Sequence, residues 1–240
     1  MSTETKSEKE MGFFGKILGI FLTPTETFQS INKKPTWFLA FVVIILVILI
    51  TQYFTVDIRA EDQLAMMEAR GMPAEQLEMA RAQVTGPMKY IQFGVIPIAI
   101  LIAYLAMAGI YILLGNAALG GEAKFKNVLS VVVWSGMIGI IQSIVTMYLT
   151  LTKGTTLGVT TSLAVAIPAP PIGESTPIYR FLASLDIFAI WGLILMILGF
   201  SVVFNFPRKK SSIMVVSVWA VWTCLVVFVG GFFAQMSGIQ

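Results

Sequence analysis

Apolar residues gather along this chain into five long runs, at about 36–56, 90–117, 128–150, 180–204 and 212–234, with short polar breaks between them. A helix crossing the hydrocarbon core of a bilayer needs about 20 predominantly apolar residues, and each run is of that order. Between Phe38 and Ile50 every residue except Ala40 is Phe, Leu, Ile or Val. At the insertion free energies of such side chains, this stretch alone favours the membrane by about 4–7 kcal/mol. With no water to bond the backbone in lipid, the runs must be helical. The pattern predicts an all-α integral membrane protein with five transmembrane helices.

The polar segments divide the rest. Residues 1–10, MSTETKSEKE, are polar and mixed in charge and are expected to be a disordered tail. They lack the compact apolar stretch and cleavage site of a signal peptide. Residues 11–35 predict two short helices before the first span. The first, from Met11 to Leu22, is too short to cross and carries Lys16, so it either lies in the membrane interface or packs under the bundle. The second starts at Thr23-Pro24-Thr25-Glu26, where Thr23 can cap, Pro24 suits the first helical position and Glu26 completes a capping box. Residues 36–240 form the membrane domain. Within it, 57–87 reads as a helical hairpin on the membrane surface, turning at Gly71 and Pro73 and ending at Gly86-Pro87. Residues 152–178 form a loop rich in Thr, Gly and Pro.

Charge orients the bundle. Arg208, Lys209 and Lys210 sit in the short break between the fourth and fifth runs, and Lys124 and Lys126 in the break between the second and third. Short loops dense in Lys and Arg stay in the cytoplasm, which predicts a cytoplasmic N-terminus and a C-terminus outside. These five cations are candidate contacts on the cytoplasmic face.

Composition narrows the chemistry. The 240 residues are 57% hydrophobic and 12% charged, with a formal charge of +3. That modest charge matches basic loops rather than nucleic-acid binding. The chain has no His and one Cys, Cys224. His-based acid–base catalysis, Cys–His nucleophiles and the usual zinc sites are thereby excluded, and no catalytic motif, metal cluster or cofactor-binding signature is visible. Asp186 is the one acidic residue inside an apolar run. An acid near the bilayer centre costs about 3 kcal/mol and is by default a functional candidate. It can be a structural acid bonded to Lys153, Tyr148 or loop backbone, a proton or ion site, or a partner contact. Gln92, Asn116 and Gln142 predict interhelical hydrogen bonds, and Ser135, Gly139 and Ser143 a small-residue stripe for close helix contact, within one chain or between copies.

Four stretches together resemble the Yip-domain membrane proteins, a family named for interaction with Ypt/Rab GTPases, and its bacterial members above all. They are Pro24-x-Glu26-x-Phe28-x-x-Ile31 with Lys34-Pro35; Pro73-Ala-Glu75-Gln76-Leu77; Gly120-Gly121 followed by Phe125-Lys126-x-Val-Leu-Ser130; and Leu185-Asp186-Ile187-Phe188-x-Ile190-Trp191. The resemblance implies five spans, a cytoplasmic N-terminus and no enzymatic activity. It makes Pro24, Glu26, Gly120, Gly121, Phe125, Asp186 and Trp191 motif residues, and it implies a small GTPase as a partner class. Two functions are carried forward: a scaffold or adaptor acting through its cytoplasmic face, alone or as a homo-oligomer, and a small transporter or channel using Asp186. The expected location is a membrane, the cytoplasmic membrane in a bacterium.

Overall fold

The computed structural model describes residues 11–171 and 176–236, with side chains as far as Phe228. The tail expected to be disordered at 1–10 lies outside the described residues. Ten α-helices follow in order: α1 (Phe13–Leu22), α2 (Pro24–Lys33), α3 (Phe38–Ala69), α4 (Ala74–Thr85), α5 (Gln92–Ile112), α6 (Phe125–Ser135), α7 (Ile138–Lys153), α8 (Pro177–Ser184), α9 (Ile187–Val203) and α10 (Arg208–Met236). Short 3-10 turns, Pro87–Tyr90 and Leu163–Ala166, precede α5 and follow α7, and a π-helical turn, Leu113–Ala118, extends α5. Among the described residues the only pairing of β type is an isolated bridge between Ser162 and Asp186.

Among the described residues four helical stretches are long and apolar enough to cross a membrane: Phe38–Ala69, Pro87–Ala118, Phe125–Lys153 and Arg208–Phe228. The fourth apolar run differs from its reading as one helix over 180–204. Leu185 leaves helical geometry (φ −90°, ψ 60°) and Asp186 is extended. The run therefore splits into α8 and the 17-residue α9, which is about 25 Å long at 1.5 Å per residue. The third stretch bends at Gly136, where a Cβ would stand 2.2 Å from the Tyr104 hydroxyl.

The expected surface hairpin is also drawn differently. Its turn is where Gly71 and Pro73 put it, with Gly71 at φ +73°. Its first arm, however, is the end of α3, which continues unbroken for 32 residues. Nothing between Phe38 and Ala69 stops a helix: no Pro or Gly intervenes, and Asp57, Glu61 and Arg59 are tolerated in a helix that has left the apolar run.

α1 packs against the bundle along one side. Lys16, Gly19 and Ile20 are buried, and Phe13 meets Trp134 at 5.8 Å between ring centroids. Phe14, Leu18 and Leu22, four residues apart, form an exposed apolar stripe at 79%, 65% and 77%. α2 is a core element despite its polar sequence. Phe28 and Ile31 are fully buried, and a Cβ on Gly199 would stand 3.0 Å from the Phe28 ring and 2.5 Å from Val131. Gly199 thus lets α2, α6 and α9 meet closely. α6 lies at the centre, with every residue from Val128 to Ser135 buried. Within the chain, the expected stripe on the third run makes no close helix contact at Gly139, where a Cβ would meet nothing within 4 Å, while Ser135 is buried.

Candidate functional site

The polar residues collect at the two ends of α9. Asp186 is the N-cap of that helix. Its carboxylate accepts from the backbone N–H of Phe188 at 2.8 Å and of Ala189 at 3.2 Å, the two positions that an N-cap serves. The Thr161 hydroxyl donates to its other oxygen. Asp186 is buried, and the positive end of the helix favours its charge. The partners suggested by sequence, Lys153 and Tyr148, are not the ones it uses: Lys153 instead donates to the Leu157 carbonyl at 2.7 Å.

A second buried acid, Asp62, performs the same task from α3. It accepts from the Thr155 hydroxyl at 2.7 Å and from both the backbone N–H and the hydroxyl of Thr156. The threonine-rich loop after α7 is therefore held at two places by two acids, each with three donors. Thr160 and Ser162, on either side of Thr161, bond to one another at 2.6 Å. Sequence reasoning passed over Asp62 because it stood among many loop acids and its partners lie more than ninety residues away.

The opposite end is built by close packing. A Cβ on Gly115 would sit 2.2 Å from the Phe204 ring, and one on Gly121 2.7 Å from Phe204 and 3.0 Å from Phe206. Only glycine allows these rings, stacked at 5.2 Å, to close on the loop. Gly120 adopts φ +67°, a conformation that glycine takes without a Cβ penalty. Asn116, expected to bond between helices, instead closes this loop: its amide donates to the Ala123 carbonyl at 2.9 Å and its carbonyl accepts from the Ala123 N–H at 3.0 Å. Lys210 joins the two loops, donating to the Leu119 carbonyl at 2.6 Å and lying 4.0 Å above the Phe206 ring. Leu119 ends the helical turn before it, where carbonyls lack intrahelical partners.

The five cationic candidates therefore divide. Lys210 is turned inward and braces the loops, while Lys124, Lys126, Arg208 and Lys209 are exposed. Asn127 beside Lys126 donates to Asn32 at 2.6 Å, which ties this end to the end of α2. Phe125 is half-exposed next to Lys124 and Lys126. Pro24 opens α2 as expected, but Thr23 makes no side-chain cap, so the capping box does not form. The Thr27 hydroxyl bonds the Thr23 carbonyl instead, at 3.0 Å. Glu26 is exposed in the first turn of α2. Trp191 packs edge-on against Phe21 at 6.2 Å, remote from the cations. Among the described residues no group of His, Cys, Asp or Glu is placed to hold a metal ion.

The motif stretches thus have physical roles: Phe28 and Ile31 fill the core, Gly121 admits Phe204 and Phe206, and Asp186 starts α9. Comparison with curated proteins and with solved structures returns no match. The Yip1 domain matches residues 18–230, nearly the whole chain. These apolar helices and that match identify a multi-pass membrane protein, and the chain belongs to the Yip1 domain family.

Proposed function

We propose that this protein is a non-enzymatic membrane scaffold or adaptor that docks a cytoplasmic protein on the exposed cations Lys124, Lys126, Arg208 and Lys209. The observation that carries this reading is the bracing of that face. The two loops that lead into the cation-bearing starts of α6 and α10 are locked by Gly121, Phe204, Phe206 and Lys210, so the charges are presented on a fixed surface rather than on mobile tails. Pre-organised charge steers a partner of opposite sign. In this reading the chain spans the membrane five times, α9 being the shortest span. The N-terminus and the cationic loops are cytoplasmic and the C-terminus is outside, in the inner membrane of a bacterium. The partner is an acidic protein surface, with a small GTPase as the class that the family suggests.

A transporter built on Asp186 has less support, because three donors already hold that carboxylate. In-cell cross-linking from a photoreactive residue at position 209 tests docking. The adaptor reading expects discrete cross-linked proteins that disappear on Arg208→Glu with Lys124→Glu. An identical cross-linking pattern in that variant would overturn it.

A further inference from the structure

α1 and α2 fold back on one another at Thr23, and their heights in the bundle follow from α6. Asn127 donates to Asn32 at 2.6 Å. Four residues earlier on α2, Phe28 meets Val131 around Gly199, where a Cβ would stand 3.0 Å from the first and 2.5 Å from the second. α2 therefore runs antiparallel to α6 in step with it, and its start at Pro24 lies level with Ser135. From Lys126 to Ser135 is about 14 Å at 1.5 Å per residue. The α9 side gives a similar height. Phe21 packs against Trp191 at 6.2 Å, and Trp191 lies about 18 Å along α9 from its end at Val203. The hydrocarbon core of a bilayer is about 30 Å thick, and the apolar run of α6 starts at 128, so the Thr23 turn stands well inside one leaflet.

A turn at such depth must meet its own backbone needs. The Thr23 N–H donates to the Gly19 carbonyl at 2.8 Å, and the Thr23 carbonyl accepts from the N–H of Thr27 at 3.1 Å and from its hydroxyl at 3.0 Å. Pro24 brings no N–H to satisfy. Gly19 lets the two helices close, since a Cβ there would stand 2.3 Å from the Thr27 hydroxyl. The faces of the pair sort in the same way. Ile20, Phe28 and Ile31 fill the core. The polar side of α2, with Glu26, Gln29 and Ser30, lines a cleft of about 660 Å³ shared with α1 and the start of α3. The outward side of α1 is the stripe of Phe14, Leu18 and Leu22. Trp191, which Phe21 touches, is exposed together with Ile190 and Ile194, so the stripe continues the apolar outer surface of the bundle.

We infer that α1 and α2 form a re-entrant hairpin, inserted into the leaflet at the Lys126 end of the bundle. Its Phe14–Leu18–Leu22 stripe lies against acyl chains, and the polar side of α2 faces water in the cleft. A helix lying in the interface keeps its apolar face at one depth, whereas this hairpin carries the stripe from the headgroups toward the midplane. Polar groups are tolerated at membrane depth where they line a water-filled cavity. The inference depends neither on which side of the membrane this end faces nor on protein docking there.

The test uses the full chain in liposomes of phosphatidylcholine and phosphatidylglycerol, with Cys224→Ser removing the native thiol. A nitroxide is attached in turn to Phe14→Cys, Leu18→Cys, Leu22→Cys and Gln29→Cys, all exposed positions. Power-saturation EPR then compares collisions with oxygen, which enters lipid, and with a water-soluble nickel chelate. The label at 22 is expected to lie at least about 5 Å deeper than the label at 14, out of the roughly 12 Å that separate them along the helix, with 18 between. The label at 29 is expected to meet nickel freely. Equal depths at 14, 18 and 22 would make α1 a flat interfacial helix and overturn the inference. A nickel-accessible label at 22 would put the turn outside the membrane and overturn it equally. A label at 29 shielded from nickel would deny the wet cleft, with the same consequence.

Discussion

The two ends of α9 solve the same problem by opposite means. At its start a polar loop must stay attached to a bundle that offers it few polar partners. Asp186 and Asp62 hold it with charge-assisted hydrogen bonds to Thr161, Thr155 and Thr156. At its end the chain turns between helices within seven residues of Val203 and anchors by shape: Phe204 and Phe206 press on Gly115 and Gly121. At the acid-held end the two carboxylates are taken up by internal hydrogen bonds. The glycine–aromatic end leaves Lys124, Lys126, Arg208 and Lys209 facing outward. An acid embedded near a membrane attracts functional interpretation, yet here the more available surface is the one that looks merely basic.

The contrast breaks most severely at the packed end. Gly115→Val places atoms inside the Phe204 ring, and overpacking of this kind costs about 1–3 kcal/mol or more. Loss of folded protein in detergent, read by size-exclusion chromatography, is the expected result, and a normal yield would show that the rings can move aside. Next in size is the acid end. Asp186→Ala removes the cap and the Thr161 acceptor together and is expected to cost about 2–3 kcal/mol. Asp186→Asn keeps a capping oxygen and is expected to cost less than about 1 kcal/mol. Thermal melting in detergent separates the two, and equal losses would mean that the charge rather than the cap matters.

Asp62→Ala is expected to cost about 1–3 kcal/mol. Its more telling signature is local: limited proteolysis should accelerate within 154–171, while cleavage elsewhere is unchanged. Lys210→Met keeps the aliphatic contact with Phe206 but loses the bond to the Leu119 carbonyl, at about 1 kcal/mol. Smallest of all, Arg208→Ala with Lys209→Ala is expected to shift stability by no more than about 0.5 kcal/mol. A large loss there would move these cations from the docking face into the scaffold.

Much of the fold was legible in local pattern. The apolar runs, the start of α2 at Pro24 and the turn at Gly71 all follow from short-range rules on hydrophobic length and on Pro and Gly. What escaped depended on distant partners or on competing local signals. The α8–α9 break hid because Leu185 and Asp186 sit inside a stretch that hydropathy averages over. The signal was present: an aspartate directly before Ile187-Phe188-Ala189 is an N-cap pattern. α3 ran on past its apolar run because charged residues end a span without ending a helix. Gly115 was invisible as a packing site, since only the fold brings Phe204 onto it. Of the candidate residues, Gly121 and Lys210 proved to belong together, while Asp186 and Trp191 lie apart from the cations. Asp62 gave no local sign of its role.

The central claim is that partner docking belongs to the cationic end and that Asp186 is structural. Cross-linking from position 209 in cells, compared between Arg208→Glu with Lys124→Glu and Asp186→Asn, tests it most directly. The account predicts that the cross-linked partner is lost in the charge-reversed protein and retained at wild-type levels in Asp186→Asn. Retention in the first with loss in the second would contradict it.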